Sequence, residues 1–374
     1  MSREFTGTRS APSMQGSRGE AMRRERLEEM LGRLKDLRIA VVGDLFLDRW
    51  WAIDRRLDEP SVETQLTAYQ VVGRRQSAGA AGTVLNNLSA LGVGQLAAVS
   101  LIGDDGEGYE LMRLMGRQQI DTRWVIRSPE VFTPAYIKPM FFAADSGETE
   151  GHRFDIRNIR PTPQAIQEQL ITNLEETARW ANALVVLDQL TLEDSGVVTA
   201  AMRQALADLA RRRPELLMLG DSRAFADRFT GLTIKCNDKE ARQLMGRPAE
   251  GDFDLEEMST CLELLGRQTG RPAIITCGAK GILVPGEGGP VLVPALAVSG
   301  PIDVCGCGDA CTSGMVSALC AGAGMEEAAQ MGNLCAAVTI RKTGTTGTAR
   351  PEEVLSRFDS ALPGRGMRSG RDSP

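Results

Sequence analysis

Residues 38–49 read RIAVVGDLFLDR. The apolar run Arg38–Val42 stops at Gly43-Asp44, the pattern of a buried strand ended by a turn. The theme recurs along the chain. AAVSLI at 97–102 runs into Gly103-Asp104-Asp105-Gly106, and Ala183–Leu187, Leu216–Leu219 and Ala273–Thr276 repeat it. Helical patterns fill the gaps, as in Val197–Arg213. This alternation predicts an α/β fold with a mostly parallel sheet covered on both faces. Ligands of such sheets sit beyond the carboxyl ends of the strands. Asp44, Asp48, Asp188, Asp221 and Asn237 all fall at or just after such ends.

Two stretches break the alternation. Residues 50–76 and 131–157 read as extended (VETQLTAYQVV, PAYIKPMFFA, HRFDIR) and predict a small separate sheet, economically a lid over the site. Residues 1–19 are rich in Ser, Gly, Arg and Thr and read as a disordered tail. Residues 20–36 place Leu27, Met30, Leu31 and Leu34 at helical spacing and predict an amphipathic helix. Residues 361–374 are again tail-like.

Composition narrows the function. The chain has 374 residues, 42% hydrophobic and 25% charged, enough for a large core. Its length predicts one large domain with an appendage, or two domains. The net charge of −6 argues against a nucleic-acid partner, and the six lysines against 37 arginines carry no functional message. The apolar runs are a few residues long, whereas a membrane span needs about 20. The first residues lack the apolar core of a secretory signal, and the eight scattered cysteines read as reduced thiols, so a cytoplasmic setting is expected. The single histidine, His152, excludes paired-histidine metal motifs and two-histidine nucleotidyltransferases; it reads as a surface or lid residue.

Four motifs carry chemistry. At 303–314, DVCGCGDACTSG places a Gly-x-Gly-Asp loop before a helical pattern. Glycines 306 and 308 permit close approach of a ligand, and a helix start presents free N–H groups, an anion site suited to a phosphate. Asp309 is placed to take a proton from a hydroxyl; an Asp cap with turn glycines is the bland alternative. At 76–92, QSAGAAGTVLNNLSALG is small residues before a helix, which by itself reads as a close-packed helix start. In GDLFLDR at 43–49 the two aspartates are either turn residues or ligands for sugar hydroxyls. Asn237-Asp238-Lys239-Glu240 puts an amide and a carboxylate on one helix face, either for a hydrated Mg²⁺ with phosphates or as a capping segment. Cys305, Cys307 and Cys311 lack a second ligand pair and read as small packing residues rather than a zinc site. Cys307, at a helix start, is a candidate for a lowered thiol pKa and for oxidation.

In this order and spacing the motifs resemble the ribokinase-like (PfkB) family of carbohydrate kinases over about residues 37–360. Within it they are similar to the branch that phosphorylates D-glycero-β-D-manno-heptose 7-phosphate in ADP-heptose biosynthesis. The likeness includes VVGDLFLDRWW at 41–51, PSVETQL at 60–66, Arg153-Phe-Asp155, Asp221-Ser-Arg223 and GNLCAAVTIRKTGTTG at 332–347. The resemblance implies a three-layer α/β/α sandwich with a β lid. It implies an ATP-dependent kinase using Mg²⁺, with many members responding to a monovalent cation. By it Asp309 is the general base, and the N–H groups of Gly306, Cys307 and Gly308 form the anion hole. Asp48, Gly79, Thr83, Arg153 and Asp188 lie on the sugar side, Asn237 and Glu240 near Mg²⁺, and Asn333 with the Thr276–Gly278 segment on the nucleotide side. For Arg153, a lid salt bridge with Asp155 stands beside a substrate phosphate.

The departures bear on the substrate. The family's Gly-Gly-Ala-Ala-Asn appears as Gly79-Ala80-Ala81-Gly82-Thr83, so a hydroxyl replaces an amide. The branch's Asp-Tyr-x-Lys-Gly appears as Asp188-Gln189-Leu190-Thr191-Leu192, and Cys305 and Cys307 replace Thr and Ala in the signature. Branch members are often fused to a cytidylyltransferase-like domain, which is not expected here. The alternatives are a kinase of the same family for another sugar or a nucleoside, and a regulatory protein that binds nucleotide or sugar phosphate without turnover. Lid strands exposed at an edge make a homodimer the expected assembly.

Overall fold

A computed structural model describes residues 22–143, 147–344 and 346–361. The expected tail at 1–19, and that at 361–374 beyond its first residue, lie outside them. The chain enters through helix α1 (Arg24–Arg33), which buries Leu27 and Met30, with Leu34 beyond it. Each such residue stabilises by about 1.5–3 kcal/mol. The solvent-screened Arg24–Asp359 and Arg26–Glu327 pairs add little, so docking of this helix is mainly apolar.

Strand β1 (Arg38–Gly43) passes through Asp44 directly into β2 (Leu45–Asp54). Two short strands, β3 (Glu59–Pro60) and β4 (Thr67–Ala68), precede the long β5 (Val71–Ala80), which leads into α2 (Ala81–Ala90). Then follow β6 (Gln95–Gly103), α3 (Gly106–Arg117), β7 (Asp121–Ser128), β8 (Ala135–Ala143), β9 (Gly147–Glu150) and β10 (Phe154–Ile156). The alternation resumes with α4 (Gln164–Trp180), β11 (Ala183–Asp188), α5 (Ala200–Arg212), β12 (Leu217–Ser222), β13 (Thr233–Asn237), α6 (Asp238–Leu244), α7 (Leu255–Thr269) and β14 (Ala273–Thr276). The hairpin β15 (Gly281–Gly286) and β16 (Gly289–Pro294) precedes α8 (Cys307–Cys320), α9 (Met325–Thr339) and α10 (Pro351–Ala361).

Nine strands form the main sheet in the order β16-β15-β14-β13-β12-β11-β1-β6-β7. Pairing is parallel from β14 to β7 and antiparallel only for β15, against β14 on one side and β16 on the other. Alternate residues of each central strand feed two cores. Ile39, Val41 and Val185 meet α1, α2, α8 and α9; Ala40, Val42 and Val186 meet α4, α5 and α7. The result is the expected α/β/α sandwich.

The lid is a separate mixed sheet, β10-β8-β2-β5, with β9 paired to β8. Its first strand begins at Leu45 rather than near residue 50. Asp48 is therefore a mid-strand residue of the lid, not a residue of the turn after β1. The stretch VETQLTAYQVV is strand only at Thr67–Ala68 and from Val71. Its alternation finds no face to bury: Val62 and Leu66 are exposed, and Gln65, at φ 60, turns the chain back on Ser61. The helix expected from Val197 begins at Ala200, where the Thr199 hydroxyl accepts the Met202 N–H and caps it.

Candidate active site

The N-terminus of α8 lies near the lid: the Asp48 carboxylate of β2 acts on Asp309, and Lys138 of β8 on Cys305. Val304–Cys307 is a type II turn: the Cys307 N–H donates to Val304 O at 3.2 Å, and Gly306 holds φ 78, ψ 0. A side chain there would be strained, which accounts for the glycine. The turn also removes Cys307 from the expected anion hole, because its N–H is engaged. Among the described residues the N–H groups of Gly306, Gly308 and Asp309 have no acceptor. They stand where the helix dipole is positive. Asp303 ties the loop down, accepting from Cys305 N and Gly344 N at 3.0 Å each.

Asp309 lies in the first turn of α8 with part of its surface open. Desolvation and the nearby Asp221 carboxylate push its pKa up to about 7, against the opposing pull of Lys235 and Arg223, with Asp48 of the lid adding a small push. An acid tuned near neutrality is what a general base at physiological pH requires. Lys235 was not foreseen as a site residue. It is buried on β13, and its Nζ lies 2.5 Å from Asp221 Oδ2. Burial alone would lower its pKa, but Asp221 more than reverses this and keeps it charged. The signal in the sequence was a lone lysine in an otherwise apolar strand, TIKC at 233–236.

Asn237 and Glu240 form a capping box on α6. Asn237 Oδ1 accepts from the Glu240 N–H and Glu240 Oε2 from the Asn237 N–H, both at 2.8 Å. The capping alternative is thus realised, at the cost of one oxygen on each side chain. Glu240 Oε1 takes no hydrogen bond among the described residues, and burial with Asp221 nearby raises this carboxyl's pKa. Among the described residues no three His, Cys, Asp or Glu side chains form a metal cluster. This donor set fits a Mg²⁺ ion that keeps its waters and arrives on nucleotide phosphates, and does not fit an all-protein cage. Thr276 Oγ1 donates to Cys236 O at 3.3 Å, and Gly278 opens the next turn at φ 52. Asn333 is buried, and its amide donates to Val293 O and Pro294 O at 3.1 Å each. That amide pins α9 to β16 and is not free for a nucleotide.

On the lid side, Asp48 pairs in register with Ser77 of β5 and Tyr136 of β8. A Cβ on Gly79 would sit 2.5 Å from Asp48 Oδ2, so the glycine makes room for the carboxylate. Burial raises the Asp48 pKa, while Lys138 and Arg153 lower it. Lys138 stands 5.2 Å over the Trp50 ring and has no carboxylate partner among the described residues. Arg153 stacks 4.1 Å over Tyr136 and chelates Asp155 at 2.6 and 2.8 Å, so the lid salt bridge is formed. Thr83 is 2% exposed, with its hydroxyl turned to Ala78 O at 3.5 Å, and does not join the cleft groups. Asp188 is also buried, accepting from Ser222 Oγ at 2.9 Å; burial and Asp44 push its pKa up to about 7.

The thiols behave differently from expectation. Burial and neighbouring carboxylates raise the pKa of Cys307, outweighing the Thr339 hydroxyl beside it. The expected reactive thiolate is therefore overturned: desolvation wins over the helix terminus. His152 is exposed between β9 and β10.

Comparison with known proteins gives the family. Residues 37–352 match the model of the pfkB family carbohydrate kinases. The bifunctional protein HldE of Trichlorobacter lovleyi is 29% identical over 339 residues, 90% of this chain and 65% of that protein. HldE of Geobacter metallireducens is 28% identical, covering 89% and 65%. The chain thus spans just under two thirds of the length of these relatives. Among solved structures, phosphofructokinase-2 from Escherichia coli in complex with substrates and products aligns with a TM-score of 0.65 at 16% identity, over 86% of this chain and 98% of that one. Arabidopsis thaliana ribokinase complexed with ribose and ATP aligns with a TM-score of 0.62 at 15% identity, also over 86% and 98%. The chain belongs to the pfkB family of carbohydrate kinases.

Proposed function

We propose that the chain transfers the γ-phosphoryl group of ATP to a hydroxyl of a phosphorylated sugar, a heptose 7-phosphate being the first candidate. The observation that carries this reading is Asp309, at the open N-terminus of α8, facing an Asp48 flanked by Lys138 and Arg153. Asp48 is suited to hold sugar hydroxyls, and Lys138, which no carboxylate holds among the described residues, to meet a phosphate already on the sugar. The acceptor hydroxyl gives its proton to Asp309 as its oxygen bonds the γ-phosphorus. The bond from phosphorus to the bridging oxygen breaks and ADP leaves. The N–H groups of Gly306 and Gly308 meet the charge on the transferring group. Mg²⁺, when bound, neutralises phosphate charge, with Glu240 Oε1 and Asn237 the groups that would hold its water shell. A monovalent cation would be sensed beside Gly306, where Thr346 Oγ1 is buried and, among the described residues, without a partner.

The reading is tested by ADP release with Mg²⁺-ATP across sugars, sugar phosphates and nucleosides, with Asp309→Asn as the blank. Turnover dependent on Asp309 with a heptose 7-phosphate is expected. Turnover restricted to unphosphorylated sugars or nucleosides would overturn the acceptor class while leaving the kinase reading intact. We further propose a homodimer through the lid, supported by the exposed Val62, Leu66, Val71 and Val72 along its β5 side. A monomer by light scattering at micromolar concentration would remove it.

A further inference from the structure

We infer that Lys235 is a catalytic residue, holding an oxygen of the transferring phosphoryl group against the Gly306–Gly308 donors. The inference rests on that loop being the phosphoryl site. Along β13, Ile234 and Cys236 point into the core under α5 and α7. Side chains alternate in a strand, so Lys235 points the opposite way, toward α8. A Cβ placed on Gly308 would lie 3.9 Å from the Lys235 Nζ. The ammonium therefore stands beside the backbone of the anion hole.

An ammonium carries three donors. One is met by Asp221 Oδ2, and among the described residues the other two have no acceptor. Thr312 Oγ1 lies 3.4 Å from the same Asp221 oxygen, but its one proton has a nearer acceptor in Gly308 O at 3.0 Å. A buried ion pair recovers its desolvation cost only when the remaining donors are satisfied as well. An ion pair that served the fold alone would leave this lysine under-satisfied. A phosphoryl oxygen bound to Gly308 N–H supplies the missing acceptor, on the side where the two protons are unmet. Asp221 then acts as the partner that keeps the lysine charged between turnovers.

Removing Lys235 alone would strand Asp221 as a buried charge, so the informative protein is the neutral pair Asp221→Asn/Lys235→Met. Calorimetric titrations with Mg²⁺·AMP-PNP and with ADP report on the γ-phosphoryl position without any sugar. The double variant is expected to lose AMP-PNP affinity by about tenfold or more, the scale of one charge-assisted hydrogen bond, with ADP affinity unchanged. Asp221→Asn alone, which frees the lysine, is expected to keep or tighten AMP-PNP binding. Wild-type-like AMP-PNP binding by the double variant would overturn the assignment, leaving Lys235 a counter-ion. Equal loss of AMP-PNP and ADP would also overturn it, as would an AMP-PNP loss in Asp221→Asn matching that of the pair. A wild-type protein that binds neither nucleotide would bring down the phosphoryl-site reading itself, which separates the two failures.

Discussion

Two helices in this molecule begin after a run of small residues, and only one of those starts is a candidate site. At α8 the chain arrives through a type II turn, with Gly306 at φ 78. At α2 the chain comes straight off the lid strand β5, with Ala80 at φ 51, ψ −120. The first turn of α8 has Gly308 exposed and an acid in place. The first turn of α2 is buried from Ala81 onward and carries no acid; a Cβ on Gly82 would meet Ala78 Cβ at 2.5 Å. Both starts have a positive dipole end. The difference argues that a helix N-terminus stays open to an anion where the preceding turn swings the chain aside. Where strand and helix are nearly continuous, the same small residues serve close packing.

The largest expected effect sits at the open start. Asp309→Asn should lower kcat by about a thousandfold, within the range for loss of a general base, while ATP binding persists. The wild-type kcat/KM should rise on an acid limb centred near pH 7, because the carboxylate is the active form and its pKa is about 7. A pH-independent rate between 5.5 and 8 would remove Asp309 from the chemistry, and the contrast between the two helices would collapse.

Next comes the turn itself. Gly306→Ala forces a Cβ into left-handed backbone and should cost about 1–2 kcal/mol of stability. It should also cost about a hundredfold in kcat, since the turn aims the N–H donors. Thermal melts and kinetics on the same preparation separate the two losses. A variant that is destabilised but fully active would mean the donors do not touch the reacting group.

The third prediction concerns the acids behind α2. Asp44 O accepts the Ala81 N–H, and the Asp44 carboxylate accepts from Val197 N and Gln189 N. Its neighbour Asp188 has a folded pKa of about 7, well above its unfolded value. The folded state thus holds a proton the unfolded chain has released. That contribution is fully present below about pH 4 and is lost as pH rises through 7. Asp188→Asn should therefore stabilise the protein at pH 8 by on the order of 2 kcal/mol, and change little at pH 4. Equal effects at both pH values would show that Asp188 is ionised throughout.

The same contrast explains what could be read beforehand. The parallel strands were legible because their apolar runs lie between turn residues, as in Arg38–Val42 and Ala183–Leu187. The Gly306-x-Gly308-Asp309 loop was legible in part because the left-handed backbone at 306 restricts that position to glycine. Asp48 was misplaced because Asp44 so resembles the end of an excursion, when the chain turns there into a second strand. Lys235 was overlooked because a strand pattern says which face a residue takes but not what waits across that face; only the tertiary approach of α8 and Asp221 brings it beside the candidate site. The contacts of Asn333 and Thr83 were hidden for the same reason. Their partners, Val293, Pro294 and Ala78, are set by packing rather than by local sequence.

The smallest effect is at the packed start, and it runs opposite to the Gly306 prediction. Ala80 is one of four non-glycine residues at positive φ among the described residues, and it stands where the family pattern has its second glycine. Holding an alanine there costs on the order of 1–3 kcal/mol of backbone strain. Ala80→Gly removes that strain but loosens the unfolded chain, which returns roughly 0.4–1 kcal/mol. The net expectation is a gain of about 1 kcal/mol, seen as a higher denaturant midpoint at unchanged slope, with kcat unaltered. If Ala80→Gly instead changed the KM for the sugar without moving stability, the strain would be held for the substrate: this junction positions Gly79 against Asp48, and α2 would be part of the site after all.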